Sequence, residues 1–129
     1  MLGKIILGIS ALVFISYGVV SLLFPAIPSG LAGLEMSNGD AIAEIGAMYG
    51  GLQSGIGMFC LLALLKREFY RSGLVLLALS IGSLAAARLF SLLMTTEAIS
   101  AYTYGALVYE FFTTVIAAMA LMRKNNDPT

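Results

Sequence analysis

The chain has 129 residues, of which 60% are hydrophobic and only 11% are charged, and its mean hydropathy is +0.97. Soluble domains carry about twice that share of charged residues, so this composition indicates an integral membrane protein. The formal net charge is zero and no basic stretch is longer than a few residues, which excludes a nucleic-acid-binding surface.

The apolar runs predict four membrane-spanning helices. Residues 5–24 are uncharged and supply about the 20 residues that a helix needs to cross the bilayer. Pro25 and Pro28 end this helix, and the stretch up to Asp40 is rich in glycine, serine and asparagine, which predicts a loop. Asp40 is placed to cap the next helix. With KREFYRS and TEAIS as polar interruptions, we predict one domain, residues 1–129, with spans at about 3–24, 41–65, 73–95 and 100–122.

All basic residues except Arg88 lie at one set of predicted helix ends. They are Lys4, Lys66, Arg67, Arg71, Arg123 and Lys124. The opposite ends carry Glu35, Asp40 and Glu97. By the positive-inside rule, both termini and the middle loop are cytoplasmic. The expected fold is therefore an all-α, membrane-embedded four-helix bundle made of two antiparallel helical hairpins.

Three charged residues, Glu44, Arg88 and Glu110, lie inside the predicted spans. Charges at such depth are costly unless they face protein or water and find a partner, so each one is a candidate site residue. Counted from the outer helix ends at about 1.5 Å per residue, Arg88 and Glu110 lie at similar depths. Because a very short loop joins their helices, we predict an Arg88–Glu110 ion pair. Glu44 lies in the first helical turn, where the macrodipole favours an acid.

A helical wheel predicts which faces of helices 3 and 4 look inward. Small or polar residues share a helix face with each charge. On helix 3, Arg88 shares its face with Ser80, Ser91 and Thr95. On helix 4, Glu110 shares its face with Thr103, Ala106, Thr113 and Ala117. Large apolar residues take the opposite faces, namely Leu89 and Leu93 on helix 3 and Val108, Phe111 and Val115 on helix 4. We therefore expect the two charged faces to point into the bundle.

The candidate ligand-binding residues are expected to line a polar cavity in the outer half of the bundle. They are Tyr17, Tyr49, Gln53, Arg88, Tyr109 and Glu110. The sequence contains no histidine and its single cysteine, Cys60, has no partner for a metal site, so we expect no metal and no cofactor. The expected partners are membrane lipid and a hydrophobic small molecule.

Helix 2 contains the stretch EIGAMYGGLQSGIGMFC, residues 44–60, which is rich in glycine for a membrane helix. On the wheel, Ile45, Leu52, Ile56 and Phe59 form a narrow strip that we expect to face lipid. Small residues cover most of the remaining surface, and they let neighbouring backbones approach closely. We predict that helix 2 is the most enclosed helix and that its glycine-rich face can dock a membrane-protein partner.

The block MYGGLQSGIGMF, residues 48–59, resembles the hallmark of a family of small bacterial four-helix membrane proteins known as a domain of unknown function. Tyr49, Gly50, Gly51 and Gln53 match that pattern as they stand. The resemblance covers essentially the whole chain and implies this architecture in a bacterial inner membrane, but it supplies no activity. The small multidrug-resistance transporters also have four helices and an embedded glutamate, but their essential acid is on helix 1, where this chain has none.

Three functions are left open at this point. In the first, the chain binds a lipid-like or small amphipathic molecule, or is an accessory subunit of a membrane complex. In the second, it is an intramembrane isomerase or cyclase of a hydrophobic substrate, with Glu110 as the catalytic acid or base and Arg88 holding a charged intermediate. In the third, a proton-coupled transporter uses Glu110 as the carrier. A purely structural Arg88–Glu110 lock is the alternative to all three.

Overall fold

The computed structural model of the chain describes residues 1–123. This part of the chain is α-helical and has no β-strand; its five helices are α1 (Leu2–Leu23), α2 (Ala26–Ala32), α3 (Gly39–Leu65), α4 (Arg67–Met94) and α5 (Ala101–Met122). All of these helices except α2 are long and apolar enough to cross a membrane. The predicted all-α class and the four candidate spans are therefore confirmed. Lys124, used above to predict the orientation, lies outside the described residues.

The chain divides into two compact units. Unit 1 comprises Met1–Leu7 and Ala63–Thr129, and unit 2 comprises Gly8–Leu62. Unit 1 therefore holds the start of α1 together with α4 and α5, whereas unit 2 holds the rest of α1, α2 and most of α3. The assignment of residues 1–129 to one domain stays a prediction.

In unit 2, α1 and α3 approach closely at glycine residues. A methyl group at Gly18 would contact the Ser54 hydroxyl and would lie 2.8 Å from both the Gly50 carbonyl oxygen and the Ser54 nitrogen. A methyl group at Gly57 would lie 2.7 Å from the backbone nitrogen of Ile15. Because these neighbours are backbone atoms, only glycine permits this separation between the two helices.

The short helix α2 occupies residues that we predicted to be a loop. Pro25 precedes the helix and Pro28 lies in its first turn, where a missing N–H removes no helical hydrogen bond. Gly33 ends the helix with φ of +68°, and the Leu34 N–H donates to the Ser29 carbonyl at 2.8 Å. The loop prediction was wrong for Ala26–Ala32, because proline breaks a helix only beyond its first turn, and it was correct for residues 33–38.

The residue that caps α3 is Asn38 and not Asp40, so this prediction was wrong by two positions. The Asn38 side chain accepts a hydrogen bond from the Ala41 N–H at 2.9 Å, and its backbone is extended, as an N-cap requires. Asp40 lies inside the first turn of α3, where its charge still interacts favourably with the helix dipole.

The break between α3 and α4 is shorter than the polar KREFYRS stretch indicates. Lys66 is extended, with φ of −117° and ψ of 119°, and it alone separates the two helices. Helix α4 opens with a 3₁₀ turn at Arg67–Phe69 and continues from Tyr70, rather than starting at about residue 73. Such turns are frequent at helix termini, and polar side chains there can still reach water.

Two π-helical segments interrupt the regular spacing of α3 and α4, at Gly46–Gly51 and Leu77–Ile81 respectively. A π turn adds one residue, so residues before it are rotated by about 100° relative to an α-helical wheel. Ile45, just before the first segment, is buried with 6% exposure, whereas Leu52, just after it, is 52% exposed. Ile45 is thus not on an exposed strip as predicted, whereas Leu52 is exposed and Ile56 and Phe59 are half-buried; contact of this strip with lipid stays a prediction.

Helix α1, and not α3, is the most enclosed of the four long helices. In its most apolar stretch 39% of the residues are buried, against 22% in α3. The glycines of α3 do not all serve close packing, because Gly50 and Gly57 are buried while Gly46 and Gly55 have nothing within 4 Å of an added methyl group. The prediction that helix 2 is the most enclosed was therefore wrong.

Candidate functional site

In unit 1, small residues on α4 bring its backbone close to neighbouring side chains. A methyl group at Gly82 would lie 3.0 Å from the Thr114 Cγ2 atom of α5, and one at Gly73 would contact the Ala63 Cβ atom. Arg88 lies fewer than two turns beyond Gly82, and Glu110 lies one turn before Thr114. The Gly82–Thr114 contact therefore holds α4 and α5 at the separation that an Arg88–Glu110 pair requires.

The predicted ion pair between Arg88 and Glu110 is confirmed. The Nε atom of Arg88 donates to Glu110 Oε1 at 3.1 Å and to Oε2 at 2.9 Å, while Nη2 donates to Oε1 at 2.7 Å. Contacts to both carboxylate oxygens fix the plane of the guanidinium as well as its position. The two partners differ in exposure: the Arg88 side chain is 25% exposed and the Glu110 side chain is 5% exposed.

The inward face that we predicted for α5 is confirmed. Its buried members are Glu110, Thr113 and Ala117, whereas Val108, Phe111 and Val115 on the opposite side are exposed. Thr103 and Ala106 are half-buried. The Thr114 hydroxyl donates to the Glu110 carbonyl oxygen at 2.8 Å, so a local hydrogen bond orients Thr114 toward the α4 contact.

The face predicted for α4 is only partly correct. Arg88 and Ser80 are half-buried, but Ser91 and Thr95 are exposed. Thr95 follows the last helical residue and is extended, so a helical wheel does not apply to it. The Ser80 hydroxyl lies within the π segment and donates to the Leu76 carbonyl at 2.5 Å. On the opposite face, Leu89 and Leu93 are exposed as predicted.

The other candidate residues fall in separate places. In unit 2 the rings of Tyr17 and Tyr49 lie 6.4 Å apart with their planes tilted by 58°. Gln53 is half-buried one turn after Tyr49 on α3, and Tyr109 is half-buried on α5 in unit 1. The structure thus pairs Arg88 with Glu110 and Tyr17 with Tyr49; one cavity shared by all six residues stays a prediction.

Two further features of unit 2 escaped the sequence reasoning. The Oγ atom of Ser54 is buried and has no hydrogen-bond partner among the described residues. The π segment at Gly46–Gly51 includes Tyr49, and π turns inside α-helices are frequent at functional sites. The adjacent pair Gly50 and Gly51 was the available signal for this irregular turn, because helices distort readily at such positions.

Among the described residues the acidic side chains do not gather into a metal site. Within residues 1–123 no group of three or more cysteine, aspartate or glutamate side chains is placed to hold a metal ion. Glu44 is exposed, but it is the sixth residue of α3, whose first turn contains Asp40 as its acidic residue. The prediction that Glu44 lies in the first turn was therefore wrong, because the helix begins two residues earlier than expected.

The fold and composition together define the class of protein: an all-α chain with four candidate membrane-spanning helices, as in a multi-pass membrane protein. The model of a family described as a domain of unknown function, DUF4345, matches residues 2–121, so the chain belongs to this family. No curated protein and no solved structure matches the chain. The family confirms the expected membership of a group of unknown function and indicates no activity; the helix 2 hallmark and the bacterial origin stay predictions.

Proposed function

We propose that this chain is a small multi-pass protein of a bacterial inner membrane that binds an amphipathic, lipid-like molecule at Arg88 and Glu110. In this proposal the helices form two antiparallel hairpins with both termini in the cytoplasm, and the ion pair lies in the outer half of the bilayer. The observation that carries the proposal is a partly exposed arginine side chain paired with a buried glutamate on helices that are long and apolar enough to cross a membrane.

The unequal exposure of the pair favours Arg88 as the group that meets a ligand. Both oxygens of Glu110 accept hydrogen bonds from Arg88, and only 5% of the Glu110 side chain is exposed. A quarter of the Arg88 side chain is exposed, so Arg88 is the partner that a headgroup can reach more readily. The planar guanidinium matches carboxylates and phosphates, and we therefore propose an amphiphile with an acidic headgroup.

Stability alone is a weak reason for such a pair. Replacing a buried ion pair with apolar residues of similar volume is often neutral or stabilising, because desolvation offsets the attraction between the charges. Charged residues inside membrane spans are accordingly functional candidates by default. This argument favours a binding role for Arg88 and Glu110 over a purely structural lock.

The alternatives that use Glu110 as a proton carrier or catalyst have less support. A general acid or base must come within hydrogen-bonding distance of the substrate atom whose proton it transfers. Glu110 is buried and already accepts three hydrogen bonds from Arg88, so a substrate would first have to displace the guanidinium. A membrane-protein partner on the glycine-rich face of α3 stays a prediction.

Native mass spectrometry of the purified protein tests the proposal, with oleic acid and phosphatidylglycerol as acidic probes and monoolein as a neutral probe. The key variant is Arg88→Gln/Glu110→Gln, which removes both charges together and so leaves no unpaired buried charge. The control is Arg71→Gln, because Arg71 is an exposed cation outside the pair. We expect the wild type and the control to retain the acidic probes over monoolein, and the double variant to lose this preference. Equal retention of all probes by the wild type, or an unchanged preference in the double variant, would refute the proposal.

A further inference from the structure

The short helix α2 presents an apolar face that is about half exposed among the described residues. Ile27 and Leu31, four residues apart and so on the same side of the helix, are each 49% exposed. Pro28 and Ser29 on another side are buried. One face of the helix is therefore buried while the apolar face stays accessible.

The residues around α2 are continuous with the apolar surface at the end of α1. Leu23 and Phe24, which end α1 and lead into α2, are 67% and 58% exposed. The Ile27 N–H donates to the Phe24 carbonyl at 2.9 Å, so a tight turn joins the two helices. The exposed apolar surface thus extends from the end of a candidate span onto the face of α2.

The charge pattern shows how far this apolar surface extends along the chain. No aspartate, glutamate, lysine or arginine occurs between Lys4 and Glu35, although α1 already ends at Leu23. Leu34, just before the first charge, is 43% exposed and its N–H is held by the Ser29 carbonyl. Exposed apolar surface of this kind is unfavourable in water, whereas contact with the acyl boundary of a membrane buries it.

We infer that α2 is an interfacial helix, with Ile27 and Leu31 in contact with lipid at the boundary between headgroups and acyl chains. The occupant of this face is lipid because the face continues the apolar surface of α1 and carries no charge. Gly33 and the Leu34 N–H bond stop the helix before Glu35, which keeps the first acidic side chain on the aqueous side. This inference is independent of the Arg88–Glu110 site and concerns unit 2 alone.

Fluorescence quenching in reconstituted vesicles tests the inference. Cys60→Ser provides a cysteine-free background, and bimane is attached to Leu31→Cys on the apolar face or, as the control, to Ser37→Cys. Ser37 is exposed and follows Glu35, so its label should be in water. The vesicles contain phosphatidylcholine and phosphatidylglycerol, with a nitroxide either near the headgroup or near the chain end, and iodide serves as the aqueous quencher.

We expect the label at position 31 to be quenched by the shallow nitroxide and protected from iodide, and the label at position 37 to show the reverse. Equal iodide quenching at both positions would overturn the inference, because α2 would then lie in water. Protection of position 31 from iodide and from both nitroxides would also overturn it, because a second copy of the chain would then cover α2. Should Leu31→Cys not fold, Ile27→Cys on the same face gives the same test.

Discussion

Arg88 and Glu110 form an ion pair between α4 and α5 in which the Glu110 side chain is buried and the Arg88 side chain is partly exposed. This asymmetry has different consequences for the loss of each partner. Without Arg88, a carboxylate would remain inside the bundle with no cation to balance it. Without the charge of Glu110, the partly exposed Arg88 side chain could still extend its guanidinium toward a polar environment.

Single substitutions of Arg88 and of Glu110 should therefore lower the free energy of unfolding by different amounts. We expect Arg88→Leu to lower the free energy of unfolding by about 3 kcal/mol or more, because breaking a buried pair leaves an uncompensated charge. Glu110→Gln should lower it less, since the glutamine oxygen can still accept a hydrogen bond from Arg88. Thermal unfolding of the purified variants in detergent measures both effects.

The double variant Arg88→Leu/Glu110→Gln is the control for this pair of substitutions. It carries neither charge, and we expect it to regain most of the stability lost in Arg88→Leu. The deciding variant is Glu110→Gln. If it also failed to fold, and only the double variant folded, the pair would be a structural lock and the proposed binding site would lose its basis.

The contact of Gly18 with Gly50 and Ser54 predicts a large effect of a single methyl group. In Gly18→Ala the added carbon would overlap backbone atoms of α3, which cannot move aside as a flexible side chain can. We expect unit 2 to be destabilised by about 1–3 kcal/mol, as in other overpacked sites. Cys60 is the only cysteine and is fully buried, so the temperature at which a thiol-reactive dye labels it reports unfolding of this unit.

Gly55→Ala is the matched control, because nothing lies within 4 Å of a methyl group there. Alanine is the better helix former by about 0.5–1 kcal/mol, so the labelling temperature should stay the same or rise. If the labelling temperature fell by a similar amount in Gly18→Ala and Gly55→Ala, the effect of the methyl group would not come from the contact between α1 and α3.

The start of α3 gives a test that separates the two candidate caps. Asn38→Ala removes the side-chain oxygen that accepts from the Ala41 N–H and should cost about 1 kcal/mol. Asp40→Ala removes only a favourable interaction with the helix dipole, worth about 0.3–1 kcal/mol for an exposed group. Unfolding temperatures compared at low and high salt distinguish them, since only the Asp40 effect should weaken with salt. A larger loss of stability in Asp40→Ala than in Asn38→Ala would indicate that Asp40 is the N-cap of α3.

The proposed orientation predicts which loops face the cell exterior. In a Cys60→Ser background, a cysteine replacing Ala98 between α4 and α5 should react with a membrane-impermeant maleimide added to intact bacterial cells. A cysteine replacing Lys66 should react only after the cells are opened. Both positions are exposed, so access across the membrane decides the result. Labelling of position 66 in intact cells would reverse the proposed orientation.

Much of the architecture could be predicted because the bilayer imposes strong constraints on the sequence. Four spans of about 20 apolar residues follow directly from its thickness. The Arg88–Glu110 pair could also be predicted, since a short loop makes the two helices neighbours and the two charges lie at similar depth. The buried face of α5 followed because that helix is regular over its whole length, so the helical wheel applies.

The errors arose where local geometry departs from the regular helix. The π segment of α3 rotates Ile45 away from the strip in which a wheel places it. A sequence also does not show that Pro28 falls in a first turn until the start of α2 is known. We predicted that the glycines of α3 form one packing face, but only some of them do. The sequence does not show which glycines a neighbouring helix contacts. Contacts such as that of Gly18 with Ser54 depend on tertiary structure and have no sequence signal of their own.

The most direct test of the proposed binding role is an experimental structure of the protein purified from its membrane in mild detergent. We predict density for an amphipathic molecule with its headgroup in contact with the Arg88 guanidinium, and loss of that density in Arg88→Gln/Glu110→Gln with the helices otherwise unchanged. A bundle in which protein side chains alone surround Arg88, with no bound molecule in either protein, would contradict the account and leave the pair with a structural role.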